Sequence, residues 1–324
     1  MSVNKIQFHD MQSSSNEFLV DVMQGLSQRP ASIPPKYFYD AKGSILFDAI
    51  TELPEYYLTR TEIDILSANA DEIARHVGTG SILVEPGGGS CAKVHILLDG
   101  LKPTTYVPMD ISKDHLRLSA QELSVAFPWL EIHAIYTDFT RELRLPQSTP
   151  QGTHLAFFPG SSIGNFDPDG AVGFLTLIED LVGSGGYLLI GVDLKKDKAI
   201  LEAAYDDAAG ITAQFNLNLL THINRELDAN FDITAWQHSS LYNEQLGCIE
   251  MHLVSKHNQV ITINNTSFGF AEGETIHTEN SYKYSTEEFI TLASRAGFQS
   301  DALWVDEDKL FSVHLFRVPE NLAK

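Results

Sequence analysis

Between residues 81 and 192, short apolar runs alternate with helical stretches, and this alternation limits the fold more than any other feature of the chain. Ser81–Glu85, Thr105–Met109, Ile132–Tyr136, His154–Phe158 and Tyr187–Val192 have the length and composition of strands, and the stretches near 91–100, 113–126 and 169–182 between them read as helices. Strands joined by helices in this way form a doubly wound α/β sheet whose faces are both covered. The tail repeats the style, with a helix over Thr286–Ala296 ended by Gly297 and a hairpin-like pair, Ala302–Val305 and Phe311–Phe316. A helix followed by two strands completes a seven-stranded sheet with one antiparallel member. The alternation breaks after residue 194: 195–227 reads as long helices, and 248–256, 259–263 and 266–270 as antiparallel strands. The sheet core is therefore expected over 62–194 and 286–324. A second, smaller α+β domain is expected from the insertion 195–285 with 1–61 as its companion.

Two local patterns precede the core. Thr59-Arg60-Thr61-Glu62 has the form of a capping box, expected to open an amphipathic helix through Ile63, Leu66, Ile73 and Val77. Before it, an apparently irregular segment concentrates Tyr37, Phe38, Tyr39, Phe47, Tyr56 and Tyr57. A group of aromatics this dense is core or a pocket wall.

The turn after the first core strand, Glu85-Pro86-Gly87-Gly88-Gly89-Ser90, leads into a helix. Glycines there let backbone approach a ligand, and a helix N-terminus favours a carboxylate or phosphate. Gly87-x-Gly89-x-x-Ala92 fits the dinucleotide fingerprint, with Asp110 about 20 residues on as that motif expects. Other positions favour S-adenosylmethionine over NAD. Glu85 makes the pattern E-x-G-x-G, Asp110 ends the second core strand where it can accept both ribose hydroxyls, and Asp138-Phe139 follows the third, where adenine can be held. Three acidic positions at successive strand ends suit an uncharged nucleoside better than a pyrophosphate. Lys93 is placed to pair the carboxylate of the methionine moiety; on spacing alone it is equally an exposed helix lysine.

Composition narrows the partners. The 22 Lys and Arg against 43 Asp and Glu give a net charge of −21. Affinity for nucleic acid and for anionic membrane surfaces rests on basic residues, so neither partner is expected. The first residues lack the apolar core of a signal peptide and no stretch has the length of a membrane span, so a cytoplasmic location is expected. No obligate protein partner is evident. The twelve histidines and two cysteines, Cys91 and Cys248, form no metal-binding spacing. His252 and His257, five apart, are a weak exception, and Cys91 reads as a small buried thiol.

Three longer stretches carry a family resemblance: PPKYFYDAKGSILFDAITELPEYYLTRTE, FFPGSSIGNF and IHTENSYKYS. Together they resemble the ergothioneine-pathway L-histidine Nα-methyltransferases, from about Ile33 to the C-terminus. The resemblance implies a Rossmann-like class I methyltransferase sheet with a separate substrate domain, and an enzyme that trimethylates the α-amine of histidine with S-adenosylmethionine to give hercynine. It implies that Tyr39 lies beside the reacting amine and that Tyr56 reaches the imidazole through water. Gly87, Lys93, Asp110, Asp138 and Phe139 would hold the cofactor, and Asn165 and Tyr205 the amino-acid backbone groups. Met251 would pack on the side chain, while Glu279 and Ser281 of Thr278-Glu279-Asn280-Ser281 would read the imidazole, with Asn280 beside them. The cofactor loop departs from the family pattern at Pro86 and Gly88, where members usually carry Leu and Ser.

Read without the resemblance, Asn165 is a turn residue, Met251 alternates with Ile249 and Leu253 as strand core, and the Glu279/Ser281 spacing is common. Three other activities stay open at this point. They are methylation of another aromatic amino acid such as tryptophan, cofactor binding without turnover, and an NAD-dependent dehydrogenase.

Overall fold

The computed structural model describes residues 6–11, 17–91, 93–141 and 143–320. Ala92, the last position of the glycine fingerprint, lies outside them. The chain divides into two units, one of Met1–Ser13, Leu58–Lys195 and Lys283–Lys324, the other of Ser14–Tyr57 and Lys196–Tyr282.

The first unit is built on a sheet of eight strands, one more than expected. In spatial order they are Ile6–Asp10, Glu131–Tyr136, Thr105–Asp110, Ile82–Pro86, His154–Phe158, Tyr187–Asp193, Phe311–Arg317 and Gln299–Val305. Of these, Phe311–Arg317 runs antiparallel to both of its neighbours, and the other seven share one direction. The additional strand, Ile6–Asp10, pairs parallel with Glu131–Tyr136. This corrects the assignment of all of residues 1–61 to the smaller unit: the strand supplies the ladder's edge and leaves only later residues to the other unit. Ile82–Pro86 and Tyr187–Asp193 are buried along their whole length, as strands covered on both faces must be. Their continuous apolar runs are what made them readable.

Successive strands are laid down outward from Ile82–Pro86 to one side, through Thr105–Asp110 and Glu131–Tyr136. The chain then returns to place His154–Phe158 on the other side. At such a reversal the loops beyond the carboxyl ends of the strands part and leave a crevice.

The capping box is a correction. The helix runs over Tyr57–Val77, so it begins two residues before Thr59. Glu62 is buried, its side chain turned toward other partners described below. In the tail, the helix over Thr286–Arg295 does carry a capping box, made by Ser285 and Glu288.

The second unit packs the helices Ala41–Thr51, Lys198–Tyr205 and Ile211–Leu227 with a four-stranded sheet ordered Ala31–Ser32, Thr275–Tyr282, Cys248–Ser255 and Trp236–Asn243. A separate ribbon pairs Gln259–Ile263 with Thr266–Phe270. The aromatic segment is not irregular: Pro35–Phe38 is a 3₁₀ turn and Ala41–Thr51 an α-helix capped by Asp40, which accepts from Gly43 N–H at 2.7 Å. Burial alone would raise the Asp40 pKa, but that bond together with Arg225 and Asn218 holds it below the ordinary value. Strands Trp236–Asn243 and Thr275–Tyr282 carry no strand signature in the sequence, because WQHSSLYN and TIHTENSY are rich in polar residues.

Candidate active site

In the first unit, four strand ends meet the crevice. Gly87 donates its N–H to Met109 O at 2.7 Å, and a Cβ on it would meet the Phe139 ring at 3.4 Å. At Gly89 a Cβ would lie 2.8 Å from Asp110 Oδ2. A side chain there would push the Asp110 carboxylate aside, so the glycine lets the loop pass close over it. Asp110 accepts from Ser112 N–H at 2.7 Å, and burial raises its pKa against the pull of that and other backbone N–H groups. Asp138 is buried and accepts from Thr140 N–H at 3.1 Å and Thr140 O–H at 2.6 Å. Phe139 stands edge-on to Phe158 and Phe174.

Beneath the loop, Glu85 accepts a hydrogen bond from the Tyr106 hydroxyl at 2.6 Å. Burial pushes the Glu85 carboxyl up to about 7, although Tyr106 and Lys93 oppose the shift. Lys93 does not face solvent as an ordinary helix lysine would: its ammonium donates to the Glu62 carboxylate. Nothing in the sequence pattern pointed to Glu62 as a site residue, because its partners lie 31 and 98 positions away. Asn165 ends the 3₁₀ turn Ser162–Asn165 that follows the His154–Phe158 strand on this same edge. Asp110 and Asp138 make the edge acidic, with Glu85 buried behind them. Such an edge repels a pyrophosphate but suits hydroxyls, an amine and a cation. The tight cradle at Gly89 and the ring of Phe139 fit a nucleoside.

The second unit gathers most of the residues expected to bind substrate. Tyr39 meets Phe47 edge-on at 5.6 Å between centroids, Phe47 meets Tyr56 at 6.3 Å, and Tyr56 meets Tyr205 at 6.3 Å. The Tyr205 hydroxyl donates to Ser281 Oγ at 2.8 Å. Phe47, noted in the sequence only as one of many aromatics, is the link in this row. Tyr205 is fixed from behind, where His238 Nε2–H donates to its carbonyl at 2.9 Å and His238 Nδ1 accepts from Asn216 at 2.8 Å. Burial lowers the His238 pKa and favours this neutral ring.

Strand Thr275–Tyr282 carries a bulge between His277 and Glu279. The Thr278 hydroxyl donates to Met251 O there at 3.1 Å. Beyond it Glu279 stands opposite Met251, and Ser281 opposite Ile249. Asn280 is not brought together with them: it stands opposite Glu250 in the register, with Oδ1 accepting from His277 Nε2 at 2.8 Å. His252 pairs with Glu250 at 3.1 Å, and among the described residues no group of three or more His, Cys, Asp or Glu is arranged to hold a metal ion. Cys91 and Cys248 are both buried, and burial pushes the Cys91 thiol pKa up.

The model of the family "Histidine-specific methyltransferase, SAM-dependent" matches residues 18–318. The chain belongs to this family of S-adenosylmethionine-dependent methyltransferases. Histidine N-alpha-methyltransferase of Mycolicibacterium smegmatis is 38% identical over 323 residues, covering 97% of this chain and 99% of that protein. Ergothioneine biosynthesis protein 1 of Schizosaccharomyces pombe is 30% identical over 84% of this chain and 37% of its own length. A 4-dimethylallyltryptophan N-methyltransferase of Claviceps purpurea is 25% identical over 88% of this chain and 90% of its own. Membership in the histidine-specific methyltransferase family agrees with the strand order, in which the seven strands beyond Ile6–Asp10 form the doubly wound sheet with a single antiparallel member. Among the described residues, no helix is long and apolar enough to cross a membrane.

Proposed function

We propose that this chain methylates the α-amine of L-histidine three times with S-adenosylmethionine, forming hercynine for ergothioneine biosynthesis. The observation that carries the reading is the row Tyr39, Phe47, Tyr56, Tyr205 and Ser281 within one unit. It joins residues that the family resemblance assigns to the amino acid. The first unit is then the cofactor unit and the second the amino-acid unit.

The cofactor supplies a methyl group on a sulfonium. Asp110 accepts from the ribose hydroxyls, Asp138 and Phe139 hold the adenine, Gly87 and Gly89 give the backbone close approach, and Lys93 meets the carboxylate. Methyl transfer is a displacement whose rate depends on orientation, so the protein's contribution is to hold the amine in line. Asn165 and Tyr205 bind the amino-acid backbone groups for this purpose. The Tyr39 ring face stabilises the quaternary ammonium that accumulates, through cation–π attraction. Met251 packs on the histidine side chain, while Tyr56, Glu279 and Ser281 recognise the imidazole. No metal enters this scheme. The acidic balance of the chain disfavours nucleic acid and anionic membrane surfaces as partners, and the reading is of a cytoplasmic enzyme of a small-molecule substrate that needs no obligate protein partner.

The test is to incubate the protein with methyl-labelled cofactor and each of the twenty amino acids. Label on histidine, ending in the trimethylated product, is expected. Label on tryptophan instead would move the chain toward the function named for the Claviceps relative. Binding of S-adenosylhomocysteine with no labelled product would indicate a non-catalytic subunit.

A further inference from the structure

Glu62 is a buried carboxylate that the scheme above leaves without a task. Its side chain is 1% exposed. Gly160 donates its N–H to both carboxylate oxygens, at 3.0 and 2.9 Å, and the Lys93 ammonium donates to Oε2. Behind it, strand Tyr187–Asp193 carries Gly191, where a Cβ would lie 1.9 Å from Oε1. Thus the helix, a strand glycine and a turn amide together fix one carboxylate in one place, and that carboxylate fixes the lysine. Burying an ion this fully is costly unless partners compensate it, and removing one partner of such a pair exposes the cost.

Lysine has a flexible four-carbon stem and three donors on its ammonium. Left alone at the crevice, Lys93 would have to be ordered whenever a ligand carboxylate bound. Held by Glu62, it is already ordered, and its ammonium has donor capacity beyond that one bond. We propose that Glu62 is a positioning residue for cofactor binding, holding the Lys93 ammonium where it receives the carboxylate of the cofactor's amino-acid end. The inference rests on the reading that Lys93 meets that carboxylate. It is independent of which amino acid is methylated.

The experiment is calorimetric titration of the intact protein with S-adenosylhomocysteine and with 5′-methylthioadenosine, a nucleoside that lacks the amino-acid end. Wild type, Glu62→Gln, Lys93→Met and the double variant are compared. Glu62→Gln is expected to weaken S-adenosylhomocysteine by up to about tenfold, the cost of ordering one rotamer-rich side chain on binding, while 5′-methylthioadenosine binds as before. In the Lys93→Met background, Glu62→Gln should cost nothing further, since residues acting through one another are non-additive. Parallel loss of both ligands, or an undiminished loss in the Lys93→Met background, would overturn the proposal. If Glu62→Gln does not fold, Gly191→Ala moves the carboxylate without removing its charge. The same selective loss is expected there, and equal binding of S-adenosylhomocysteine by that variant and wild type would count against the proposal. A protein that shows this pattern but labels an amino acid other than histidine would sink only the histidine reading. A wild type that does not bind S-adenosylhomocysteine would sink both.

Discussion

Glu279 sets a carboxylate directly across from the buried thioether of Met251, two residues before the Ser281 hydroxyl that accepts from Tyr205. An acid, a polarisable apolar group and a hydroxyl make a suitable reader for an imidazole, whose ring is flat and apolar on its faces and polar at its edge. Glu279→Ala should therefore lower kcat/KM for histidine by about 1.5–3 kcal/mol, at least about tenfold, because a donor of the ring loses a charged acceptor. The affinity for S-adenosylhomocysteine should not change, since the residues assigned to the nucleoside, Asp110 and Asp138, belong to the other unit. The emptied volume should also narrow the gap between histidine and tryptophan. Paired kcat/KM measurements with both amino acids check this, alongside the cofactor Kd. Unchanged histidine turnover, or a cofactor Kd that collapses in parallel, would remove Glu279 from the specificity role.

Strand Thr275–Tyr282 makes that arrangement by its bulge. In a regular strand Glu279 would lie on the face of His277; the bulge at Thr278 puts Asn280 on that face instead, where it bonds His277. Thr278→Val keeps the branched shape but removes the hydroxyl that donates to Met251 O. The expected loss of stability is about 1 kcal/mol, accompanied by a rise in KM for histidine and no change in cofactor affinity. Denaturant titration and steady-state kinetics measure both; a stability loss with unaltered KM would make the bulge purely architectural. The same strand explains what the sequence did and did not disclose. Core strands such as Tyr187–Asp193 were legible because burial on both faces demands continuous apolar residues. Ile6–Asp10, an edge strand reading IQFHD, and the polar strands of the second unit carry no such demand. In the site, Gly87, Asp110 and Asp138 could be placed from strand ends alone. Glu62 could not, because a carboxylate's value here comes from Lys93, Gly160 and Gly191, which only the fold gathers.

At the scale of the whole molecule, buried ionisable groups make folding depend on pH in opposing directions. His314, on the one antiparallel strand of the large sheet, is fully buried among Phe289 and Phe316, with Nε2 at 3.0 Å from Ser312 Oγ. Burial lowers its pKa from 6.5 to about 4. Between those values the unfolded chain holds a proton that the folded chain does not, so this group's contribution to stability rises with pH across that window. Glu85 acts the other way. Its pKa, raised from 4.5 to about 7, means the folded state holds the extra proton, and its contribution is lost as pH rises through that range. The two slopes oppose each other over their shared window, so the wild-type pH profile conceals both. His314→Gln removes one of them. The stability difference between wild type and this variant should move in favour of wild type by up to about 3 kcal/mol from pH 4 to pH 6.5, and then level off. Any fixed cost of the substitution shifts the curve without changing its slope. Repulsion among the many carboxylates, which relaxes on acidification, cancels in the difference because both proteins carry the same acidic residues. Denaturant unfolding of both proteins at half-unit pH steps measures it. A difference that stays constant across the window would mean that His314 takes up its proton in the folded state as readily as in the unfolded chain.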